Sequence, residues 1–452
     1  MGGKVLTMLE SLTSATDPCV HCGFCLPTCA SYRVLGNEMD SPRGRIHTLK
    51  AIDRGELELD ATVASHFDTC LGCFACVSAC PSGVRYDQLI EATRPKLNAP
   101  ELRTPGETAF RKLLFALLPY PRRLRAALSP LRRYAGSRLQ ELIRQSGLSR
   151  RFGTQIQAME ELLPALSESS FRDDWPVINP AMGEKRGRVG LVLGCVQRVF
   201  DPEVNAATVR VLTANGFEVV IPTQQGCCGA ATHHQGETAL TEAFASELIN
   251  SFEQVIGPGQ QAGSEPLDAV LVAASGCGHT MKQYGSILSK QTRGKEFANG
   301  VFDVHEFLDQ KGLRDAFKQQ LKPLRADTTT TITYHDACHM LHGQQIKSAP
   351  RSLLQSIPNV KLKEATEAGI CCGSAGIYNL VRPDEANELG AIKAQDLATT
   401  NPDWIASANI GCTLQIRKHL KDQQRSIPVA HPMQLLDQSF RKQPMGHEKE
   451  IE

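Results

Sequence analysis

Sixteen cysteines fall into two patterns that between them use every cysteine of the chain. The first pattern is a run of four: Cys19, Cys22, Cys25 and Cys29, repeated as Cys70, Cys73, Cys76 and Cys80, the second run closing on Pro81. Thiolates at this spacing are cubane [4Fe–4S] ligands. The two-residue steps let three sulfurs curl round one face of a cube, and the fourth cysteine is carried away to the other cluster. The expected ligand sets are therefore Cys19, Cys22, Cys25 and Cys80 for cluster one, and Cys70, Cys73, Cys76 and Cys29 for cluster two. Zinc sites usually pair two Cys-x-x-Cys steps, and disulfides need an oxidising compartment; both fit three cysteines in tandem less well. Ala30, not proline, follows Cys29, but that position is not a ligand. The chemistry on offer is electron transfer.

The second pattern is a single cysteine, a Cys-Cys-Gly and a further single cysteine. It occurs at Cys195, Cys227-Cys228-Gly229 and Cys277, and again at Cys338, Cys371-Cys372-Gly373 and Cys412. Adjacent thiols cannot close an unstrained disulfide, and the following glycine permits unusual backbone angles. Two adjacent thiolates beside two remote ones make an Fe–S cradle, with a four-thiolate zinc as the main competitor and empty thiols as a third outcome. One or two further Fe–S clusters, or a zinc, are thus expected here. His279, His335 and His339 stand near enough in sequence to replace a thiolate; for His335 and His339 the simpler expectation is packing around the ligands. Phe24 and Phe74, inside the cluster loops, are expected to keep water from the cubes. Asp17, Arg85 and Tyr86 border the cluster runs without an assignable role. No Ser/His/Asp set or carboxylate pair stands out, so no catalytic residue is assigned.

These ligands must be held by distinct elements, and the expected fold is α+β multidomain. Residues 1–97 read as an α-helical ferredoxin module: 40 residues separate Cys29 from Cys70, and Ile46, Leu49 and Ile52 recur at helical spacing. Ser41-Pro42 reads as a turn into a helix. Residues 98–184 read as a helical, basic connector broken by Pro119, Pro121 and Pro130, with Leu113, Leu114, Leu117, Leu118, Leu124, Leu128 and Leu131 in an apolar background. From Arg103 to Arg151 twelve Lys or Arg stand against two Glu; this is a solvated face or a basic surface for an anionic membrane or an acidic partner. Glu168 to Glu184, with Pro176 and Pro180, reads as a linker. Residues 185–322 and 323–440 then repeat one α/β plan, each unit carrying one Cys-Cys-Gly pattern. Apolar runs at Val189–Leu193 and Thr331–Tyr334 open the units; Phe217–Ile221 matches Val360–Leu362, and Ala269–Ala273 matches Trp404–Ser407. Strands alternating with helices imply a parallel sheet in each unit, with cysteines just past the strand ends.

Composition excludes several classes. The chain has 452 residues, 41% hydrophobic and 21% charged, with a formal net charge of +1. That offers no bulk attraction to nucleic acid. Met1 to Glu10 lacks an apolar core for a signal peptide, and no run of 18 apolar residues would span a membrane. The expected location is cytoplasmic, with the basic connector as the feature for peripheral attachment. Gly257-x-Gly259-x-x-Ala262 follows no clean strand and contains Pro258, so it reads as a loop rather than a dinucleotide site.

The chain resembles the glycolate oxidase (glycolate dehydrogenase) iron–sulfur subunits from about Cys19 to Leu436. The resemblance rests on Cys19-Val20-His21-Cys22-Gly23-Phe24-Cys25, Pro42-Arg43-Gly44-Arg45-Ile46, Cys80-Pro81-Ser82-Gly83-Val84-Arg85-Tyr86, Gly226-Cys227-Cys228-Gly229-Ala230, Ser275-Gly276-Cys277-Gly278, Cys371-Cys372-Gly373-Ser374-Ala375-Gly376 and Ala408-Asn409-Ile410-Gly411-Cys412. The same pattern marks lactate-utilisation proteins, the third subunit of anaerobic glycerol-3-phosphate dehydrogenase and heterodisulfide reductase subunits. In the heterodisulfide reductase type the last cysteine belongs to a Cys-x-x-Cys; here Thr280 and Gln415 stand at the partner positions. The resemblance implies FAD-binding partner subunits that oxidise glycolate to glyoxylate, electrons passing through this chain toward quinone or a membrane quinone-reducing partner. The alternatives are the same carrier role with lactate or glycerol 3-phosphate as donor, a thiol–disulfide enzyme, or a zinc-scaffolded assembly module.

Overall fold

The computed structural model describes residues 15–326 and 328–441; Met1 to Glu10, read above for a leader, lie outside this range. The N-terminal module is helical, with no strand among its described residues. Helices Pro42–Asp53 and Ala61–Asp68 lie between the two cysteine runs, and Ala30–Leu35, Ala75–Ala79 and Tyr86–Thr93 follow the cluster loops. The turn at Ser41 is a capped helix start: its hydroxyl accepts from the Gly44 N–H, and Pro42 takes the first helical position. Gly44 is required by close packing, since a Cβ there would collide with the Glu38 carbonyl oxygen. The core of this module is built partly from its own ligands. Cys70 and Cys76 are buried with Phe67, Leu89 and Ile90, and Cys19, Cys25 and Cys80 pack against them.

The connector folds as helices Pro105–Leu117, Pro121–Leu128, Arg138–Ser146 and Thr154–Leu162. Prolines end or start them as expected, and Thr104 with Glu107 forms a capping box. Much of its basic excess is neutralised from elsewhere: Arg103 by Asp68 (2.8 Å), Arg125 by Asp173 (3.0 Å), Arg132 by Glu168 (3.1 Å) and Arg144 by Glu160 (3.1 Å). Helix Arg138–Ser146 is turned inside out. Gln140 and Arg144 face inward, bonding the Leu163 carbonyl, while Leu139 and Leu142 are 57% and 62% exposed. The linker contributes more than a tether. Strand β1 (Ile178–Asn179) pairs antiparallel with β3 (Phe217–Val220), Ile178 opposite Val220.

Each repeat unit is a parallel sheet with helical crossovers. The first has β2 (Gly187–Val192), β3 (Phe217–Val220), β4 (Ala269–Val272) and β5 (Val301–Asp303) in the order β1-β3-β2-β4-β5. The second has β6 (Thr330–His335), β7 (Val360–Lys363), β8 (Trp404–Ser407) and β9 (Val429–Ala430) in the order β7-β6-β8-β9. Apart from the borrowed edge strand the orders are identical, which bears out the repeat read from the sequence. One apolar core joins the sheets, from Leu191 and Leu271 to Ile332, Ile405 and Leu436. The helix Pro432–Arg441 crosses back to the first unit, where Asp437 binds Arg210 at 2.7 Å. Residues 257–262 form a loop, as expected. No helix among the described residues is long and apolar enough to cross a membrane.

Candidate metal centres

The module holds two clefts. One, of about 430 Å³, is lined by Cys19, Cys22, Cys25 and Cys80; the other, of about 310 Å³, by Cys29, Cys70 and Cys73. Cys76, Pro42 and Tyr86 line both, so the clefts lie back to back. The structure thus brings the fourth cysteine of each run to the other run's cleft, the crossed arrangement that the spacing implies. Left-handed residues bend the loops: His21 and Gly23 in the first, Gly72 and Phe74 in the second.

These pockets are poor places for an uncompensated thiolate. Burial pushes the Cys25 thiol up to about 11 and Cys76 well above its ordinary value. Burial would raise Cys70 as well, but Arg45 and Arg94, the Gly72 N–H and the Tyr86 hydroxyl outweigh it and hold that thiol low. Arg45 is itself buried, donating to Thr69 (2.6 Å), the His66 carbonyl (2.7 Å) and Ser31 (3.1 Å). The donor set therefore suits a group that brings its own positive charge, as iron does.

In the first unit Cys195 follows β2, Cys227-Cys228 lie in the loop after β3, and Cys277 sits on helix Ser275–Lys282 after β4. Cys195 and Cys227 sulfurs are 3.4 Å apart; Cys227 is within hydrogen-bond reach of Cys228, and Cys228 of Cys277. The second unit repeats this chain of contacts through Cys338, Cys371, Cys372 and Cys412. All four thiols of each unit thus converge at the C-terminal edge of its sheet, where open parallel sheets place their ligands. Gly229 and Gly373 have φ of +79° and +87°. A Cβ at Gly373 would meet the Ala386 carbonyl oxygen at 2.7 Å, so this glycine is fixed twice over.

The sites adjoin. Cys73 packs in one apolar cluster with Leu71, Cys338 and Cys371, so the second unit's site touches the cleft of Cys29, Cys70 and Cys73. Phe74 lies between module and repeats, stacked on His339 at 5.4 Å and against His279 at 5.4 Å. Asn409 links the two repeat sites: its Oδ1 accepts from the Gly276 N–H and its Nδ2 donates to Cys412 Sγ, both at 3.4 Å. The module is clamped in place by Arg94, which donates to the carbonyls of Cys70 (2.9 Å) and His234, and by Asn98 on the Gln235 carbonyl (2.9 Å).

Comparisons with known proteins agree with this layout. Residues 15–84 match a "4Fe-4S dicluster domain", residues 189–282 and 332–417 match a "Cysteine-rich domain", and residues 106–163 match "Glycolate oxidase iron-sulfur subunit, linker region". The chain is 34% identical over 88% of its length to the probable glycolate oxidase iron-sulfur subunit of Bacillus subtilis, covering 88% of that protein. It is 31% identical to the glycolate oxidase iron-sulfur subunit of Escherichia coli, covering 94% of each chain. The chain belongs to the glycolate oxidase iron–sulfur subunit family. Lactate utilization protein A of Oceanobacillus iheyensis matches 55% of this chain at 26% identity, over 96% of its own length.

The two aromatic residues of the cluster loops differ in exposure. Phe74 is buried, whereas Phe24 lines the cleft of Cys19, Cys22, Cys25 and Cys80 and is 65% exposed, like Cys22, which alone among the sixteen cysteines is exposed. Pro42, Arg43 and Ile46 of helix Pro42–Asp53 line the same cleft. Tyr86, without a role in the sequence, borders both clefts and donates to Cys70 Sγ at 3.7 Å. Arg45 and Arg94 were also missed as charge partners; the only signal was the Pro42-Arg43-Gly44-Arg45 string, which does not say where a side chain points. Thr280 and Gln415 are buried, and Gln415 is engaged by Asn379 (3.1 Å) and the Ala386 carbonyl (2.9 Å). Its amide is a packing group where a Cys-x-x-Cys would put a ligand.

Proposed function

We propose that this chain is the electron-transfer subunit of a glycolate-oxidising complex. Flavin-binding partner subunits take a hydride from glycolate, giving glyoxylate, and the two electrons leave through this chain toward quinone. Cys19, Cys22, Cys25 and Cys80 would hold one [4Fe–4S] cluster and Cys70, Cys73, Cys76 and Cys29 a second; Cys195, Cys227, Cys228 and Cys277, and Cys338, Cys371, Cys372 and Cys412, would hold a further metal centre each. Such clusters supply one-electron chemistry when bound, which this chain's side chains do not. The chain's own residues shape the setting. Arg45 and Arg94 stabilise negative charge at Cys70, Phe74 keeps the junction with the repeats dry, and Cys22 brings the edge of its cleft to the surface, where a redox partner can approach.

The observation that carries this reading is the continuity of the sites: back-to-back clefts, then Cys73 against Cys338, then Asn409 between the repeats. The linker match over 106–163 favours glycolate over lactate as donor. The buried, bonded Gln415 speaks against a thiol–disulfide enzyme of the Cys-x-x-Cys type. The test is anaerobic: the chain is isolated with its partners, glycolate is added without mediator, and electron paramagnetic resonance follows reduced [4Fe–4S] signals. Reduction by glycolate supports the proposal. Oxidised clusters with glycolate, but reduced ones with lactate or glycerol 3-phosphate, would keep the carrier role and replace the donor.

A further inference from the structure

Among the positions that face their sulfurs, the two repeats differ at the residue that ends the first strand of each unit. β2 ends on Val192 and β6 ends on His335, each three residues before the first cysteine of its unit. His335 is 1% exposed, and neither of its ring nitrogens has a hydrogen-bond partner among the described residues. A buried imidazole left bare on both nitrogens is costly and rare in a folded protein. A ring nitrogen of His335, the sulfur of Cys372 and the sulfur of Cys412 all lie within 4.8 Å of one another. Donors to one metal ion stand roughly 3.5 Å apart, so a bound metal needs only a small inward shift of these three. The two histidines that follow it in sequence are already engaged. His339 meets the Gly72 carbonyl at 3.0 Å, and His342 meets Ser78 and the Gly369 carbonyl at 2.9 and 3.1 Å.

We propose that His335 donates a ring nitrogen to the metal centre of the second Cys-Cys-Gly unit, beside Cys372 and Cys412, so that the two repeats hold chemically different centres. The first is all-thiolate, because Val192 offers no donor. The second is mixed thiolate and imidazole, suited to an Fe–S cluster or to zinc, both of which accept this donor set. A neutral imidazole on iron makes a centre easier to reduce than thiolates alone. The mixed centre is also the one in contact with Cys73. The inference rests on reading both repeats as metal sites.

The test uses the whole chain with its partners, purified anaerobically from cells grown on ¹⁵N-histidine. Pulsed paramagnetic resonance reads nitrogen coupling on iron, and X-ray absorption reads the first shell of any zinc. The expected result is a histidine nitrogen on the second centre: a coupling that changes with ¹⁵N, or one nitrogen scatterer among sulfurs. It should vanish in His335→Val, while the [4Fe–4S] signals of the N-terminal module persist. A sulfur-only second centre in the labelled wild type overturns the inference, and that result stands even if the variant fails to fold. A coupling unchanged in His335→Val overturns it too. Metal content of Cys228→Ser and Cys372→Ser separates the two levels: each should lose metal relative to wild type. If neither does, the reading beneath the inference falls with it.

Discussion

The N-terminal module and the repeats hold their cysteines in different surroundings. In the module the ligands are part of the core: helices of five to twelve residues, with no strand among those described, pack around Cys70 and Cys76. Short helices are marginal on their own, so this region is expected to depend on what its cysteines bind. In the repeats, buried Leu191, Leu271, Ile332 and Ile405 on the sheets supply most of the core, and Cys372 and Cys412 join it where the strands of the second sheet end. The same residue type is thus a main part of the core in one region and a minor part of it in the other.

The comparison breaks most sharply under ligand substitution. Cys70→Ser is expected to lose a cluster and to open residues 15–97 to limited proteolysis. Cys228→Ser should lose metal from one repeat yet keep its circular dichroism and a cooperative unfolding transition. Next in size, Arg45→Met leaves Asp40 buried without its neighbouring cation, and the expected cost is about 3–5 kcal/mol, read by denaturant unfolding of the metal-loaded chain. Gly44→Ala, which forces Glu38 away, should cost about 1–3 kcal/mol or somewhat more in the same region.

The repeats should respond instead to acid. Burial, with Lys418 nearby, pushes His419 down to about 3 from an ordinary 6.5. A histidine held neutral in the fold stabilises fully above its unfolded value and loses that contribution as pH falls below about 6.5. At pH 5 this one group should have cost about 2 kcal/mol. A His419→Leu chain should therefore show a shallower loss of stability between pH 7 and pH 5 than wild type. The smallest effect is expected at Leu142→Glu on the outward helix face, within about 0.5 kcal/mol by thermal unfolding.

Much of this layout was legible beforehand because ligand spacing and strand–helix alternation are local signals. The crossed cysteine sets, the helical module and the matching strand pairs all follow from such signals. What was hidden depended on contacts across long sequence distances. The pairing of Ile178 with Val220 turned an expected linker into an edge strand. Arg94 reaches Cys70 and His234, and His335 turns toward Cys372 and Cys412 only once β6 and β8 lie side by side. Phe24 and Phe74 lie in matching ligand loops, and only the fold leaves the first exposed and buries the second.

Hydrogen exchange read by mass spectrometry, on the metal-loaded chain and again after anaerobic chelation, tests the contrast most directly. The account predicts that amides in 15–97 lose protection on chelation while those in β2, β4, β6 and β8 keep it. Protection lost from the strands to the same extent, or retained in the module, would contradict it.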